Sequence, residues 1–237
     1  MNEKDLNTVI DTLNKKYPAK QNKSKSSILD VLIATKLSQN TTDKTSYIAF
    51  NNLKKKFSSW EDVATGNLND IKSAIKVCGL TNTKAVQIKA MLKQMMKNYG
   101  KLDLSLLKKM KEDEIYEELL KYKGIGVKTI SCVLGFSLGR NVFPVDTHIH
   151  RILNRIGIVK TKTPEQTFEK SKLIIPDTKK MQFHTSLIKF GREICKAITP
   201  LCYDCFIYDY CSYKTKTEEK TTKGNKVLNN FLILENI

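Results

Sequence analysis

The sequence predicts an all-α protein, and three observations carry that prediction. Apolar residues recur at helical spacing along almost the whole chain, glycines stand where the periodic runs stop, and no proline interrupts one. No segment alternates apolar and polar residues between hairpin turns, so strands are not expected. The first helix follows from Leu6, Val9, Ile10 and Leu13, which share one helical face behind Asn2 as its candidate N-cap. A polar loop from Pro18 to Ser26 separates it from Ile28 to Leu37, where nearly continuous apolar character marks a central buried helix. Lys36 is out of place in that run: either it snorkels, with its methylenes buried and its ammonium led to water, or it reaches toward a cleft. Tyr47, Phe50, Leu53 and Phe57 mark an amphipathic helix next. Gly66, Gly79, Gly100, Gly139 and Gly157 end successive runs at the C-cap position, where a left-handed backbone is easiest for glycine. Cys78 and Cys132, in apolar helical surroundings, read as core residues.

The composition limits the function. In 237 residues, Lys and Arg outnumber Asp and Glu by 41 to 24, a formal net charge of +17, and 41% of the residues are hydrophobic. That is enough apolar material for one substantial core or two small lobes, and too much for disorder. Such a positive surplus attracts a polyanion through counterion release, which makes nucleic acid the expected partner. The basic residues are spread over Lys54 to Lys56, Lys108 to Lys111 and Lys121 to Lys128, as on a folded basic face rather than a basic arm. No apolar run reaches the roughly 18 residues that a membrane span needs, and no secretory signal is visible, so a soluble intracellular protein is expected.

Cys195, Cys202, Cys205 and Cys211 are spaced C-x6-C-x2-C-x5-C. Four thiolates this close suit either tetrahedral zinc or a [4Fe-4S] cube, and the spacing alone leaves both open. Disulfide pairing is the third option, disfavoured where thiols are kept reduced. Tyr203, Phe206, Tyr208, Tyr210 and Tyr213 surround these cysteines and are expected to shield them from water. His148, His150 and His184 are too scattered for a histidine metal site and read as cleft or structural residues.

Two further segments carry chemistry. Gly124-Ile125-Gly126-Val127-Lys128-Thr129 lies between one helical run ending near Lys121 and another through Ile130, Val133, Leu134 and Phe136. Two glycines one residue apart permit a tight hairpin whose amides, at the mouth of the next helix, face a phosphate. An ordinary helix–helix turn would use the same glycines, and Lys128 beside them tilts the reading toward DNA. In the first turn of a helix the macrodipole disfavours the ammonium form, which favours the neutral amine that a nucleophile needs. Eighteen residues later, Asp146 has the look of an N-cap on a helix through Ile149, Ile152 and Leu153. A carboxylate held by backbone amides stays ionised and can stabilise positive charge developing on a sugar.

With these residues in view the sequence resembles the endonuclease III family of helix–hairpin–helix DNA glycosylases. The motifs occur in family order: Leu37-Ser38-Gln39-Asn40-Thr41-Thr42-Asp43, Gly79-Leu80-Thr81-Asn82-Thr83-Lys84-Ala85, the glycine hairpin with Lys128, Val145-Asp146-Thr147-His148, and the four cysteines. The resemblance implies that the cysteines hold a [4Fe-4S] cluster. It implies two lobes with a DNA cleft between them: a six-helix lobe over 22–138, a cluster lobe over 1–21 and 139–213, and a tail of uncertain structure over 214–237. It also implies a bifunctional base-excision repair enzyme that flips a damaged pyrimidine out of double-stranded DNA. Lys128 would attack the sugar and Asp146 would support the cationic transition state. Gly124, Ile125, Gly126 and Val127 would grip the DNA backbone, Leu80 would wedge into the base stack, and Asn40 or Gln39 would fill the gap. Lys196 would contact phosphate beside the cluster. A monomer acting on the chromosome of a prokaryotic cytoplasm is expected.

Three positions depart from the family pattern: Asn40 where glutamine is common, Lys36 in place of an apolar residue, and Val127 where a basic residue is frequent. A monofunctional glycosylase for uracil, mismatched thymine or alkylated bases, or a non-catalytic DNA-damage binder, are the other readings, and Lys128 with Asp146 argues against the last. Beyond Cys211 a charged stretch from Lys214 to Lys226 leads into Val227, Leu228, Phe231, Leu232, Ile233, Leu234 and Ile237. Such an apolar end is expected to dock on the N-terminal helix, on a partner, or as a short strand.

Overall fold

The computed structural model of the chain describes residues 1–20, 26–216 and 231–237, and among these it holds eleven α-helices and no strand. Side-chain caps start most of the early helices. Asn2 accepts from the Asp5 amide above α1 (Glu3–Lys16), Ser27 from Asp30 above α2 (Ile28–Leu37), and Thr42 from Thr45 above α3 (Asp43–Lys56). Ser59 and Asp62 form a capping box on α4 (Trp60–Thr65), and Asn67 caps α5 (Leu68–Ile75). The long α6 (Thr81–Tyr99) follows Leu80 without any side-chain cap. Next come α7 (Glu112–Leu120), α8 (Val127–Cys132), α9 (Thr147–Ile156), α10 (Pro164–Ile174), with its proline in the first turn, and α11 (Lys180–Glu193).

The chain divides into two compact units, 22–140 with 232–237, and 1–21 with 141–231. In the first, α2 is the central helix and packs against α3, α6 and α8, while α3 also meets α5 and α4 meets α6. Nine of the ten α2 residues are buried, so the helix has no polar face to show and its sequence reads as continuously apolar. In the second unit α11 is central, with α1 and α9 packed on it and α10 on α9. Phe183, Leu187 and Phe190 of α11 fill that core, and Phe143 stacks on Phe183 at 5.7 Å. No helix of the described residues is long and apolar enough to cross a membrane.

Two expectations need correcting here. Gly79, Gly100, Gly139 and Gly157 do adopt positive φ, but Gly66 has φ −59°, and its requirement is space: a Cβ there would lie 2.6 Å from the Asp62 carbonyl oxygen and 2.8 Å from the Phe57 ring. The described part of the apolar end forms a 3₁₀ turn in place of a strand and packs on α2 and α3. Leu232, Ile233 and Leu234 are buried there, and the Ser26 hydroxyl donates to the Ile237 carbonyl at 2.7 Å. Val227, Leu228 and most of the charged stretch before them lie outside the described residues.

Candidate functional site

The hairpin between α7 and α8 is set by two buried side chains and two glycines with different duties. Tyr122 and Ile125 point into the unit, the Tyr122 hydroxyl accepts from Asn98 on α6 at 3.0 Å, and the Ile125 amide donates to the Tyr122 carbonyl at 3.1 Å. Gly124 takes φ +84°, which a residue with a Cβ adopts only under strain. Gly126 is extended at φ −120°, so the turn does not demand glycine there; no atom lies within 4 Å of where its Cβ would be, and the surface is bare for an approaching group. Val127 and Lys128 follow, half-buried, in the first turn of α8. The turn after α8, Val133–Ser137, is π-helical, with the Leu138 amide donating to the Val133 carbonyl at 3.1 Å, a widening frequent near functional sites.

The same unit contains two non-glycine residues at positive φ among those described: Asn40 at φ 53° and Leu80 at φ 46°. Asparagine tolerates this conformation; leucine does not, and Leu80 is also 57% exposed. A strained, solvent-facing leucine has no part in the core, and the surrounding structure must hold it there. Lys84 does so. Its buried ammonium donates to the Leu37 carbonyl at 2.7 Å and the Cys78 carbonyl at 3.0 Å, tying the end of α2, which leads to exposed Gln39 and Asn40, to the turn that leads to Leu80. Burial holds its pKa below the ordinary lysine value. Nothing in the residues flanking Lys84 marks this role, because both acceptors are brought to it by folding. Of the two courses open to Lys36, snorkelling is excluded: it is 6% exposed, and its ammonium donates inward to the Gly124 carbonyl at 3.3 Å. It sits too deep in α2 for its four-carbon stem to reach water.

In the second unit, Asp146 is the N-cap of α9, its carboxylate accepting from the Ile149 amide at 2.9 Å. His184 fixes the chain just ahead of it, with Nδ1 2.7 Å from the Pro144 carbonyl oxygen. His148 lies 3.2 Å from the Arg151 guanidinium and His150 lies 2.7 Å from the Thr167 hydroxyl, so each of the three histidines is built into the framework.

Cys195, Cys202, Cys205 and Cys211 line one cavity with Ile156, Phe190, Ile194 and Ile207. No three described His, Cys, Asp or Glu side chains gather as the ligands of a single ion would. Of the aromatics expected to shield the sulfurs, Tyr208 and Tyr213 line the cavity; Tyr210 is exposed, and Phe206 packs instead on Phe190 and Tyr17. Burial pushes the thiols of Cys195 and Cys211 up and that of Cys205 up to about 12, with neighbouring sulfurs adding to each rise. Four thiolates together therefore demand strong positive charge among them, which a metal group supplies, and the donor set fits one. Arg155 provides a single positive charge from the rim: its guanidinium donates to Cys195 Sγ at 3.6 Å, to the Lys196 carbonyl at 2.6 Å and to the Ala197 carbonyl at 2.8 Å, and it stacks on Tyr213 at 4.5 Å. This clamp on the loop carrying half-buried Lys196 escaped the sequence reading, because nothing in the local pattern around Arg155 points forty residues ahead.

Residues 33–177 match the family model described as the HhH-GPD superfamily base excision DNA repair protein. The chain is 34% identical over 199 residues to endonuclease III of Thermotoga maritima, covering 84% of this chain and 88% of that one. It is 34% identical over 192 residues to endonuclease III of Sulfolobus acidocaldarius, covering 78% and 82%. A solved structure of a trapped endonuclease III–DNA covalent intermediate superposes with a TM-score of 0.77 at 25% identity, covering 90% of this chain and 96% of that one. The chain belongs to the endonuclease III family, within the HhH-GPD superfamily of base excision DNA repair proteins.

Proposed function

We propose that the protein is a bifunctional DNA glycosylase and abasic-site lyase of base excision repair, with Lys128 as its nucleophile, acting on damaged pyrimidines in double-stranded DNA. The observation that carries this reading is a half-buried lysine in the first turn of α8, directly behind a hairpin whose outer glycine leaves bare surface. Backbone amides at Gly124 to Val127 meet the phosphate, and Leu80, with Asn40 or Gln39, takes the place of the extruded nucleotide. The neutral Lys128 amine attacks the sugar C1′, the glycosidic bond breaks, and the base leaves with the bonding pair and a proton. The ring opens to an imine between Nζ and C1′. Loss of a C2′ proton then expels the 3′ phosphate by β-elimination, and water releases the amine. Asp146, the N-cap of α9, balances the charge that builds on the sugar.

The cysteine set belongs to a [4Fe-4S] cluster in this reading, since sulfurs lining a cavity suit a cube with separated irons better than a single ion. Its contribution when bound is structural: it holds the loop that offers Lys196 to the phosphate backbone. The test is borohydride reduction of the protein with a duplex containing one abasic site. A covalent adduct that maps to Lys128 is the expected result. A protein that binds this duplex but gives no adduct overturns the lyase assignment.

A further inference from the structure

Lys36 is a poor residue for its place by every stability criterion. It lies in the central helix of its unit, 6% exposed, where an apolar side chain of the same length would pack without penalty. Among the described residues its ammonium has one hydrogen-bond acceptor, the Gly124 carbonyl at 3.3 Å, for three donors, and no carboxylate within ion-pair distance. Burial, with repulsion from the Lys84 ammonium added to it, lowers its pKa. Lys84 differs, with two strong carbonyl contacts that close the end of a helix. A buried cation that lacks a counter-charge inside the protein is accounted for if an anion arrives from outside.

The geometry says from where. The Lys36 Nζ lies directly against the inner side of Gly124, so close that a Cβ on that glycine would collide with it. The peptide group between Gly124 and Ile125 is thus held at both ends, its oxygen by Lys36 and its N–H by the Tyr122 carbonyl. On the outer side, Gly126 leaves open space. We propose that Lys36 is the internal cation of the hairpin: it fixes the Gly124 peptide from beneath and adds its charge to the binding of a DNA backbone phosphate on the outer face. It is a positioning and electrostatic residue, not a catalytic one, and the inference rests on the hairpin being the phosphate-gripping element of the proposed function.

The experiment compares the full-length wild type with Lys36→Met, which keeps length and removes charge, and Lys36→Gln, which keeps a donor and removes charge. The probe is a duplex containing a tetrahydrofuran abasic analogue, with affinity measured over a salt series and thermal melting recorded alongside. Both variants are expected to bind about tenfold more weakly at low salt, with the slope of log K against log salt shallower by about 0.9, the loss of one phosphate neutralisation. Their melting temperatures should equal or exceed that of the wild type, because an uncompensated buried charge has been removed. Unchanged affinity and slope in both variants overturn the inference, as does a lowered melting temperature with an unchanged slope, which marks mere structural support. Wild-type borohydride trapping is scored separately: its absence sinks the lyase reading, while the salt slopes still report on Lys36.

Discussion

Lys128→Gln is expected to abolish borohydride trapping and to slow strand cleavage at an abasic site by at least about a thousandfold, because no other group replaces the covalent route once the amine is gone. Binding to a duplex containing the uncleavable analogue should stay within a fewfold of the wild type, since the hairpin proposed to grip the backbone is shaped by buried Tyr122 and Ile125 and by the positive φ of Gly124. Asp146→Asn makes a cleaner companion. Asparagine caps a helix as well as aspartate, so the bond to the Ile149 amide and the melting temperature should persist. Base release should nevertheless slow by about 10²–10³-fold if Asp146 has the proposed role, because the negative charge assigned to the sugar is lost. A variant that melts as the wild type and reacts as fast would reduce Asp146 to a cap.

Cys205→Ser is expected to have the largest effect on stability. Between Cys195 and Cys211 the backbone has only two short 3₁₀ turns, Cys202–Asp204 and Tyr208–Tyr210, and its buried anchors are Leu201 and Ile207. Arg155, through the Lys196 and Ala197 carbonyls, and Phe206, packed on Phe190 and Tyr17, hold parts of the segment, and a metal group on the four sulfurs, as proposed, would join the rest. Purified Cys205→Ser protein should lack iron and acid-labile sulfide, lose the visible charge-transfer absorption, and melt at least about 10 °C lower. Stoichiometric zinc in the wild type, with no sulfide, would replace the cluster by a tetrahedral ion.

What was legible in the sequence had local causes. Asn2 and Asp146 cap the helices that begin beside them, α2 announces its burial through unbroken apolar composition, and Gly124 takes the positive φ that a tight hairpin demands. The features that escaped depend on partners brought in by folding. Lys36 meets a carbonyl 88 residues away, Lys84 one that is 47 away, and Arg155 a sulfur 40 away. Each has a side chain whose local surroundings suggest a solvated end, and only the tertiary arrangement supplies the acceptor. Gly66 escaped for a related reason, since a crowding Phe57 ring leaves no mark in a glycine's immediate neighbours.

The turn at Ile233–Glu235 gives the chain an unusual order of assembly. The α2 and α3 surface it covers belongs to a unit whose other residues come from 22–140, and the bond from Ser26 to Ile237 closes a separation of 211 residues. The second unit is likewise discontinuous, α1 docking on α11 through the Ser186 hydroxyl and the Asn14 side-chain oxygen, 172 residues apart. Neither unit can therefore be excised as one contiguous piece without baring an apolar face. Both cores are completed only by distant segments, so the entropy of closing these long loops opposes folding in a way that the local contacts within each helix do not.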